Sequence, residues 1–201
     1  MIKEIKITND VSFYVINIDY NKDKLLKEIK LNMDVNGKSS RISTDNAPGF
    51  QSTIVIESDE INRIKKIALE ILGNELNCNI ENPHYHKCWS YTSNKENKYE
   101  FYHKHLTHEG TNLTNIEWTH TFYVQMPNNL EDDDGYLFFK TDDGIEYKTL
   151  PCEGDLMFFP ASLGHKPKIN KNSTIDRVVL AGVFKSLSTE NKIIKEDKSL
   201  I

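Results

Sequence analysis

Three histidines and one arginine in the second half of the chain have the side chains of a metal site with an anionic co-ligand. His103 and His105 are separated by one residue, so on an extended strand both side chains lie on the same face. His165 follows the apolar segment Gly154–Pro160, and Arg177 begins the next apolar segment. Imidazole binds iron, zinc, copper and nickel, so the histidines alone do not select a metal. The pattern indicates a mononuclear metal site, provided that the fold brings these residues together.

The composition is that of an ordinary folded protein. The chain has 201 residues, of which 38% are hydrophobic and 27% charged, which predicts one domain with a sizeable core. The formal net charge is −5 and the lysines form no basic stripe. Binding to nucleic acid or to an anionic membrane requires clustered positive charge, so we expect neither.

The chain also carries no sign of export. Its first six residues alternate in charge and contain no apolar core of a signal peptide, and no apolar run reaches the length of a membrane span. The three cysteines are widely spaced and odd in number, which is typical of free thiols in a reducing compartment. We therefore expect a cytoplasmic protein.

Hydrophobic periodicity predicts a mainly β protein with flanking N-terminal helices. Two short strands are expected within residues 1–20, and helices over 21–33 and 58–72, the second capped by Ser58 and stopped by Gly73. The expected later strands are Cys88–Thr92, Trp118–Met126, Tyr136–Lys140, Tyr147–Leu150, Asp155–Phe159 and Arg177–Lys185. Many short strands between turn signals favour a jelly-roll or barrel. We expect one domain over 1–185, with the metal-binding core at about 88–185 and a polar tail over 186–201.

Several motifs occur in the order found in a known enzyme family. They are Gly49–Ser52, Trp89, the His103–His105 pair, Trp118–Val124, Gly154–Pro160, His165 and Arg177. In this order and spacing the chain resembles the Fe(II)/2-oxoglutarate-dependent oxygenases, in particular the prolyl-hydroxylase-like branch of marine bacteria and phages. The resemblance covers roughly Pro48 to Phe184 and implies a double-stranded β-helix, the jelly-roll of the cupins.

The resemblance also implies roles for individual residues. His103 and His165 match the two ligand histidines of the family. Arg177 matches the residue that pairs with the distal carboxylate of 2-oxoglutarate, a bidentate task for which a guanidinium is suited. Tyr123 matches a tyrosine that contacts the same carboxylate, and Thr119, on the same strand face, is a further candidate for cofactor binding.

The second ligand position departs from the family. The usual set is a His-x-Asp/Glu pair with a distant histidine, and here His105 takes the place of the acid. A three-histidine iron site is one interpretation; Glu109, His108 or water are the alternatives for that position. His84 and His86 are interpreted as surface residues or as residues that support the ligands. His120 is interpreted as structural, because strand alternation points it away from the face of Tyr123.

The resemblance implies a dioxygenase that uses Fe(II), 2-oxoglutarate and dioxygen and releases succinate and CO2. It would hydroxylate a residue of a protein, prolyl or other, or a small molecule; the substrate is not determined by the sequence, and a homodimer stays open. Two other hypotheses are a cupin-like three-histidine dioxygenase that does not use 2-oxoglutarate, and a non-catalytic β-sandwich binding or structural protein.

Overall fold

A computed structural model of the protein describes residues 1–35, 50–51, 58–76, 87–93, 101–105, 117–168 and 171–184. The two helices are α1 (Lys22–Val35) and α2 (Asp59–Asn74). The strands are β1 (Lys3–Lys6), β2 (Ser12–Asn17), β3 (Phe50–Gln51), β4 (Lys87–Ser93), β5 (Trp118–Gln125), β6 (Leu137–Lys140), β7 (Glu146–Thr149), β8 (Asp155–Pro160), β9 (Gly164–Pro167) and β10 (Arg177–Phe184).

The strands form two antiparallel sheets. The large sheet has the order β1-β2-β8-β5-β10-β4-β3, and the small sheet has the order β7-β6-β9. Strands distant in sequence are neighbours in both sheets, as in a jelly-roll. The predicted mainly β fold with flanking helices is confirmed.

The large sheet separates two hydrophobic clusters. One cluster joins its outer face to the two helices and includes Leu25, Ile64, Phe122 and Phe158. The other lies between the two sheets, where Phe13 and Phe159 of the large sheet contact Phe139 of the small sheet at ring-centroid distances of 4.8 and 5.2 Å. The fold therefore has three layers: helices, large sheet and small sheet.

Alternation along β5 assigns its residues to these two faces. Thr119, Thr121 and Tyr123 face a cavity between the sheets. Phe122 belongs to the helix-side cluster, and the ring of His120 lies against Phe184, which belongs to that cluster too. Both faces of β5 are buried, but only the face that carries Thr119, Thr121 and Tyr123 lines the cavity.

Helix α2 begins as predicted but ends later. The Ser58 hydroxyl accepts a hydrogen bond from the Ile61 N–H, which satisfies one free donor of the first turn. The predicted stop at Gly73 is wrong, because the helix runs to Asn74 and the Glu75 N–H still donates to the Ile71 carbonyl at 2.9 Å.

The predicted strands are present with small differences at their ends. Strand β9, which carries His165, was not predicted, and the expected strand at His103 and His105 is wrong. Residues 101–105 instead form an extended segment with one isolated β-bridge, between His103 and His165. The predicted tail over 186–201 lies outside the described residues, and the proposed domain limits stay a prediction.

Within the described ranges, no helix is long and apolar enough to cross a membrane. Cys88 and Cys152, the two cysteines in these ranges, are both free thiols.

Candidate metal and anion site

The three histidines predicted to bind a metal lie together; His103, His105 and His165 are here called the histidine triad. One potential ligand nitrogen from each lies within 4.8 Å of the others. The ring centroids of His103 and His165 are 4.2 Å apart, and His105 lies 5.0 Å from each of them. Three imidazoles that converge in this way can bind one metal ion through one nitrogen each.

Backbone hydrogen bonds fix the relative position of the two segments that carry the triad. His103 and His165 exchange two N–H to carbonyl hydrogen bonds of 3.0 Å each, and the His105 N–H donates to the Ala161 carbonyl, also at 3.0 Å. Because residues 103 and 105 are alternate members of one extended segment, both rings point toward β9. The His-x-His spacing therefore places both rings on the same side of the segment, although the two segments pair through a single β-bridge.

Hydrogen bonds also select which nitrogen of two rings is available. The Nδ1–H of His165 can donate to the Leu163 carbonyl at 3.1 Å, and Nδ1 of His103 lies 3.5 Å from the Phe101 carbonyl. In the tautomer with Nδ1 protonated, Nε2 keeps its lone pair. A backbone acceptor of this kind commonly orients histidines that bind metals.

The electrostatic environment favours neutral imidazoles. Burial, followed by the neighbouring His103 and His105, lowers the pKa of His165 well below its usual value. Burial also lowers the pKa of His103. Both shifts keep the rings unprotonated near neutral pH, which is the form that binds a metal.

The triad forms part of the wall of a cavity of about 190 Å³ between the two sheets. The small sheet contributes Leu137 from β6 and Pro167 from β9 to the same cavity. The large sheet contributes alternate residues of β4, β5 and β10: Trp89, Tyr91, Thr119, Thr121, Tyr123, Arg177, Val179 and Ala181. All described lining residues are aromatic, aliphatic or neutral polar, apart from the histidines and Arg177.

Arg177 is the notable charge in this wall. Its side chain is 6% exposed, and its Nε–H has no hydrogen-bond acceptor in the described chain. Burial lowers its pKa, an effect that the nearby phenols of Tyr123 and Tyr91 partly oppose. No described carboxylate pairs with it. Since a buried guanidinium without an opposite charge is costly, the position is suited to a carboxylate from a ligand.

Strand register brings Tyr123 and Tyr91 to the Arg177 end of the cavity. Val179 on β10 lies between them, opposite Tyr123 of β5 on one side and Tyr91 of β4 on the other. A β-bulge between β5 and β10 lies beside Val178, next to Arg177. Bulges commonly redirect side chains at functional sites.

Thr119 lies at the opposite end of the cavity. It is four residues from Tyr123 on β5, which corresponds to roughly 13 Å along a strand. Its partner across the sheet is Phe159, whose ring contacts His165 at 4.7 Å between centroids. The Thr119 side chain is fully buried and its hydroxyl has no partner in the described chain. Of the candidate cofactor residues, Arg177 and Tyr123 are thus together, while Thr119 belongs to the His165 end.

Sequence reasoning did not identify Thr121, Tyr91 or Leu137 as lining residues. The alternation from Thr119 to Tyr123 would have indicated Thr121, and the same rule applied to β4 from Trp89 would have indicated Tyr91. His120 points away from the cavity, as expected. His84, His86, His108 and Glu109 lie outside the described residues, so the alternatives for the His105 position are not tested.

Comparisons with known proteins give a structural likeness without a sequence relative. No family model matches the sequence, and no curated protein matches it. A solved prolyl-4-hydroxylase from Pseudomonas putida superposes with a TM-score of 0.60 at 13% identity, over 89% of this chain and 95% of that one. The chain has the fold of the 2-oxoglutarate-dependent oxygenases.

Two further structures of this fold are similar over most of their length. SnoK, a non-haem α-ketoglutarate-dependent carbocyclase from nogalamycin biosynthesis, has a TM-score of 0.63 at 8% identity, covering 92% of this chain and 87% of that one. HygX from Streptomyces hygroscopicus, solved with nickel, 2-oxoglutarate and hygromycin B, has a TM-score of 0.59 at 10% identity, covering 89% and 84%. The fold expected from the sequence resemblance is therefore confirmed.

Proposed function

We propose that this protein is an Fe(II)- and 2-oxoglutarate-dependent dioxygenase that hydroxylates a residue of a protein or a small molecule. The observation that carries the proposal is one cavity with two complementary ends. One end has three converging imidazoles, and the other has a buried guanidinium without an acidic partner in the described chain. A metal with a short dicarboxylate ligand would satisfy both.

The donor set fits the metal and co-substrate of this reaction. His103, His105 and His165 would bind iron through one nitrogen each, which leaves further coordination positions for a ligand and dioxygen. Iron and 2-oxoglutarate would together supply the oxidative chemistry, with succinate and CO2 as co-products. The chain itself contributes binding, orientation and exclusion of water.

Three polar residues of the cavity, Arg177, Tyr123 and Thr119, have distinct tasks in this proposal. The Arg177 guanidinium would form a charge-assisted pair with the distal carboxylate, and the Tyr123 hydroxyl would donate to the same group. The Thr119 hydroxyl, at the His165 end, would donate to the oxygen atoms of the co-substrate nearest the metal. Val179 and Leu137 add apolar side chains to the cavity wall, and poor screening by such surroundings strengthens these interactions.

The first test is an anaerobic titration of the Fe(II)-loaded protein with 2-oxoglutarate. Chelation of the keto acid by Fe(II) gives a weak visible charge-transfer band, and we expect this band to saturate. Arg177→Gln should weaken 2-oxoglutarate binding about 10- to 100-fold, because the carboxylate loses a charged partner worth about 1.5–3 kcal/mol. Fe(II) binding should be retained in this variant. An unchanged affinity for 2-oxoglutarate would remove Arg177 from the site.

The substrate is a separate question from the co-substrate. The neighbouring structures include prolyl hydroxylases, one of them bound to a peptide fragment of hypoxia inducible factor, and HygX bound to hygromycin B. Both a peptide and a small molecule are therefore compatible with the fold. Succinate production on incubation with candidate peptides and small molecules would separate the two classes.

A second candidate function is favoured by His105. Three histidines without a carboxylate also suit a cupin-like dioxygenase that does not use 2-oxoglutarate. Such an enzyme has no need of a buried arginine at the far end of the cavity, so Arg177 favours the first proposal. Iron binding without the charge-transfer band would support this rival, and a protein that binds no iron would support a non-catalytic binding role.

A further inference from the structure

We propose that His105 makes the binding of the metal and of a dianionic ligand strongly interdependent, so that each is weak without the other. The inference rests on the proposed function and concerns the same cavity. In addition to binding the metal, His105 would determine how much negative charge the bound small molecule must supply, because its imidazole is neutral.

With a divalent metal bound to the histidine triad, the described wall of the cavity would be strongly positive. A divalent metal adds two positive charges, and the three imidazoles that would bind it are neutral when they ligate. Arg177 adds a third positive charge to the same wall. Within the described chain, the lining contains no aspartate or glutamate. Counted over the described lining residues, the metal-loaded cavity therefore has an excess of three positive charges.

The groups that carry or would bind these charges are buried. Arg177 is 6% exposed and His165 is 4% exposed, so water screens them poorly. Charges in such surroundings interact more strongly than charges in water. A metal ion that enters the cavity alone is repelled by Arg177, and a ligand with two negative charges removes most of that repulsion.

His105 lies beside the proposed metal position, so a substitution there changes the charge next to the metal and leaves the Arg177 end of the cavity unchanged. His105 is held by its backbone hydrogen bond to Ala161, and its ring lies 5.8 Å from that of Trp89. A shorter acidic side chain at this position would add one negative charge beside the metal without changing the opposite end of the cavity. A neutral residue at position 105 leaves more positive charge beside the metal than an acidic residue would. Metal binding therefore depends more strongly on the negative charge of the small-molecule ligand.

The ligand class follows from the two ends of the cavity. One carboxylate is required at Arg177 and a second anionic group at the histidine triad, so the ligand is a short dicarboxylate. A monoanionic keto acid such as pyruvate can chelate a metal but leaves Arg177 unpaired. It should therefore promote metal binding less than 2-oxoglutarate.

The test is a measurement of Fe(II) affinity by anaerobic equilibrium dialysis, without ligand and with saturating 2-oxoglutarate or pyruvate. In the wild-type protein, 2-oxoglutarate should tighten Fe(II) binding about tenfold or more, within the range usual for coupled ligands. The factor by which pyruvate tightens Fe(II) binding should be at least about fivefold smaller than the factor for 2-oxoglutarate. Equal factors for the two keto acids would overturn the inference.

The matched variants are His105→Asp and His105→Asn, which have the same shape and differ by one charge. The factor by which 2-oxoglutarate tightens Fe(II) binding should be at least about fivefold smaller in His105→Asp than in His105→Asn. The same factor in both variants would contradict the inference. If His105→Asp does not fold, His105→Glu and His105→Gln, which also differ by one charge, replace this pair of variants.

The outcomes separate this inference from the proposed function. If the wild-type protein binds no Fe(II), or if the Fe(II)-loaded protein binds no 2-oxoglutarate, the proposed function fails. If both bind but independently, the function stands and the linkage fails. A carboxylate supplied by Glu109, outside the described residues, would also lower the wild-type factor and so count against the inference.

Discussion

Two histidines of this protein, His165 and His120, are similarly buried but lie against different groups. His165 is 4% exposed and His120 is fully buried, and burial lowers the pKa of both. The His165 ring lies against two other imidazoles and a cavity, whereas the His120 ring lies 5.0 Å from Phe184 and 6.3 Å from Phe158. Burial and a lowered pKa are thus common to both histidines, and what distinguishes His165 is that its ring converges with two other imidazoles on a cavity.

The difference follows from the two faces of the large sheet. His120 points to the helix-side cluster, which is filled by side chains, and its imidazole is held neutral among apolar groups. The triad lies between the sheets, where the residues of β4, β5 and β10 leave space. One face is closed by packing, and the other keeps a cavity lined with hydroxyls and a guanidinium.

The largest expected difference between the two histidines is in metal binding. His165→Ala removes one of the three proposed ligands and should weaken Fe(II) binding by at least about 100-fold, since even loss of an orienting partner costs 10- to 100-fold. His120→Leu should leave Fe(II) affinity within about twofold. Anaerobic equilibrium dialysis measures both. Stoichiometric iron in His165→Ala, at wild-type affinity, would exclude His165 as a ligand.

Adjacent phenylalanines on β8 provide a matched pair for the next effect. Phe159 contacts His165 at 4.7 Å, while Phe158 faces His120. Both are fully buried, so replacement of either by leucine should lower the free energy of unfolding by about 1–2 kcal/mol. Only Phe159→Leu should also weaken Fe(II) binding, by about tenfold, because the His165 ring gains freedom to rotate.

The measurement combines urea unfolding with metal titration on both variants. Equal metal affinities in Phe158→Leu and Phe159→Leu would show that aromatic packing does not position His165. Loss of metal affinity in both would indicate that the effect is a general loosening of the sheet.

Part of the fold was predictable from periodicity, which is local. The stripe on α2 and the alternation on β5 depend on neighbours in sequence, so the cap at Ser58 and the direction of His120 away from the face of Tyr123 were predicted correctly. The end of α2 was not, because glycine permits a helix stop but does not require one. Strand β9 was missed because Gly164–Pro167 is short and its pairing partner is β6, far away in sequence.

The candidate site was predictable to the extent that resemblance supplied long-range information. The order of His103, His165 and Arg177 in the sequence suggested that they meet, but no local pattern gives their distances. That Arg177 lacks an acidic partner among the described residues, and that Thr119 and Tyr123 lie at opposite ends of the cavity, depends on the registers of β5 with β8 and β10. Such information exists only once the strands are paired.

A smaller effect concerns the acid stability of the buried histidine on the helix side. Burial lowers the pKa of His120 to about 3, while the unfolded chain titrates near pH 6.5. Between these values the unfolded state binds the proton that the folded state does not, so stability falls as pH decreases below about 6.5. At pH 5.5 this contribution amounts to about 1.4 kcal/mol.

His120→Leu removes this proton uptake. We expect the loss of unfolding free energy between pH 7.5 and 5.5 to be about 1.4 kcal/mol smaller in the variant than in the wild-type protein, both measured with a chelator present. The triad contributes equally to both proteins and cancels in the difference. An identical pH dependence would mean that His120 can be protonated in the folded state.

The smallest expected effect is at Lys104, which lies between two members of the triad. Its side chain points outward, where it forms an ion pair with Asp142 at the turn after β6. Exposed pairs of this kind contribute about 0–1 kcal/mol, so Lys104→Met should change the free energy of unfolding by less than about 1 kcal/mol. Fe(II) affinity should change less than twofold, because residues 103 and 105 keep their backbone hydrogen bonds to His165 and Ala161. A tenfold loss of Fe(II) affinity in Lys104→Met would show that the surface ion pair holds the ligand segment in place. If Fe(II) affinity is unchanged, Lys104 has no part in the metal site although it lies between two members of the triad. The reason is that its side chain points away from the cavity.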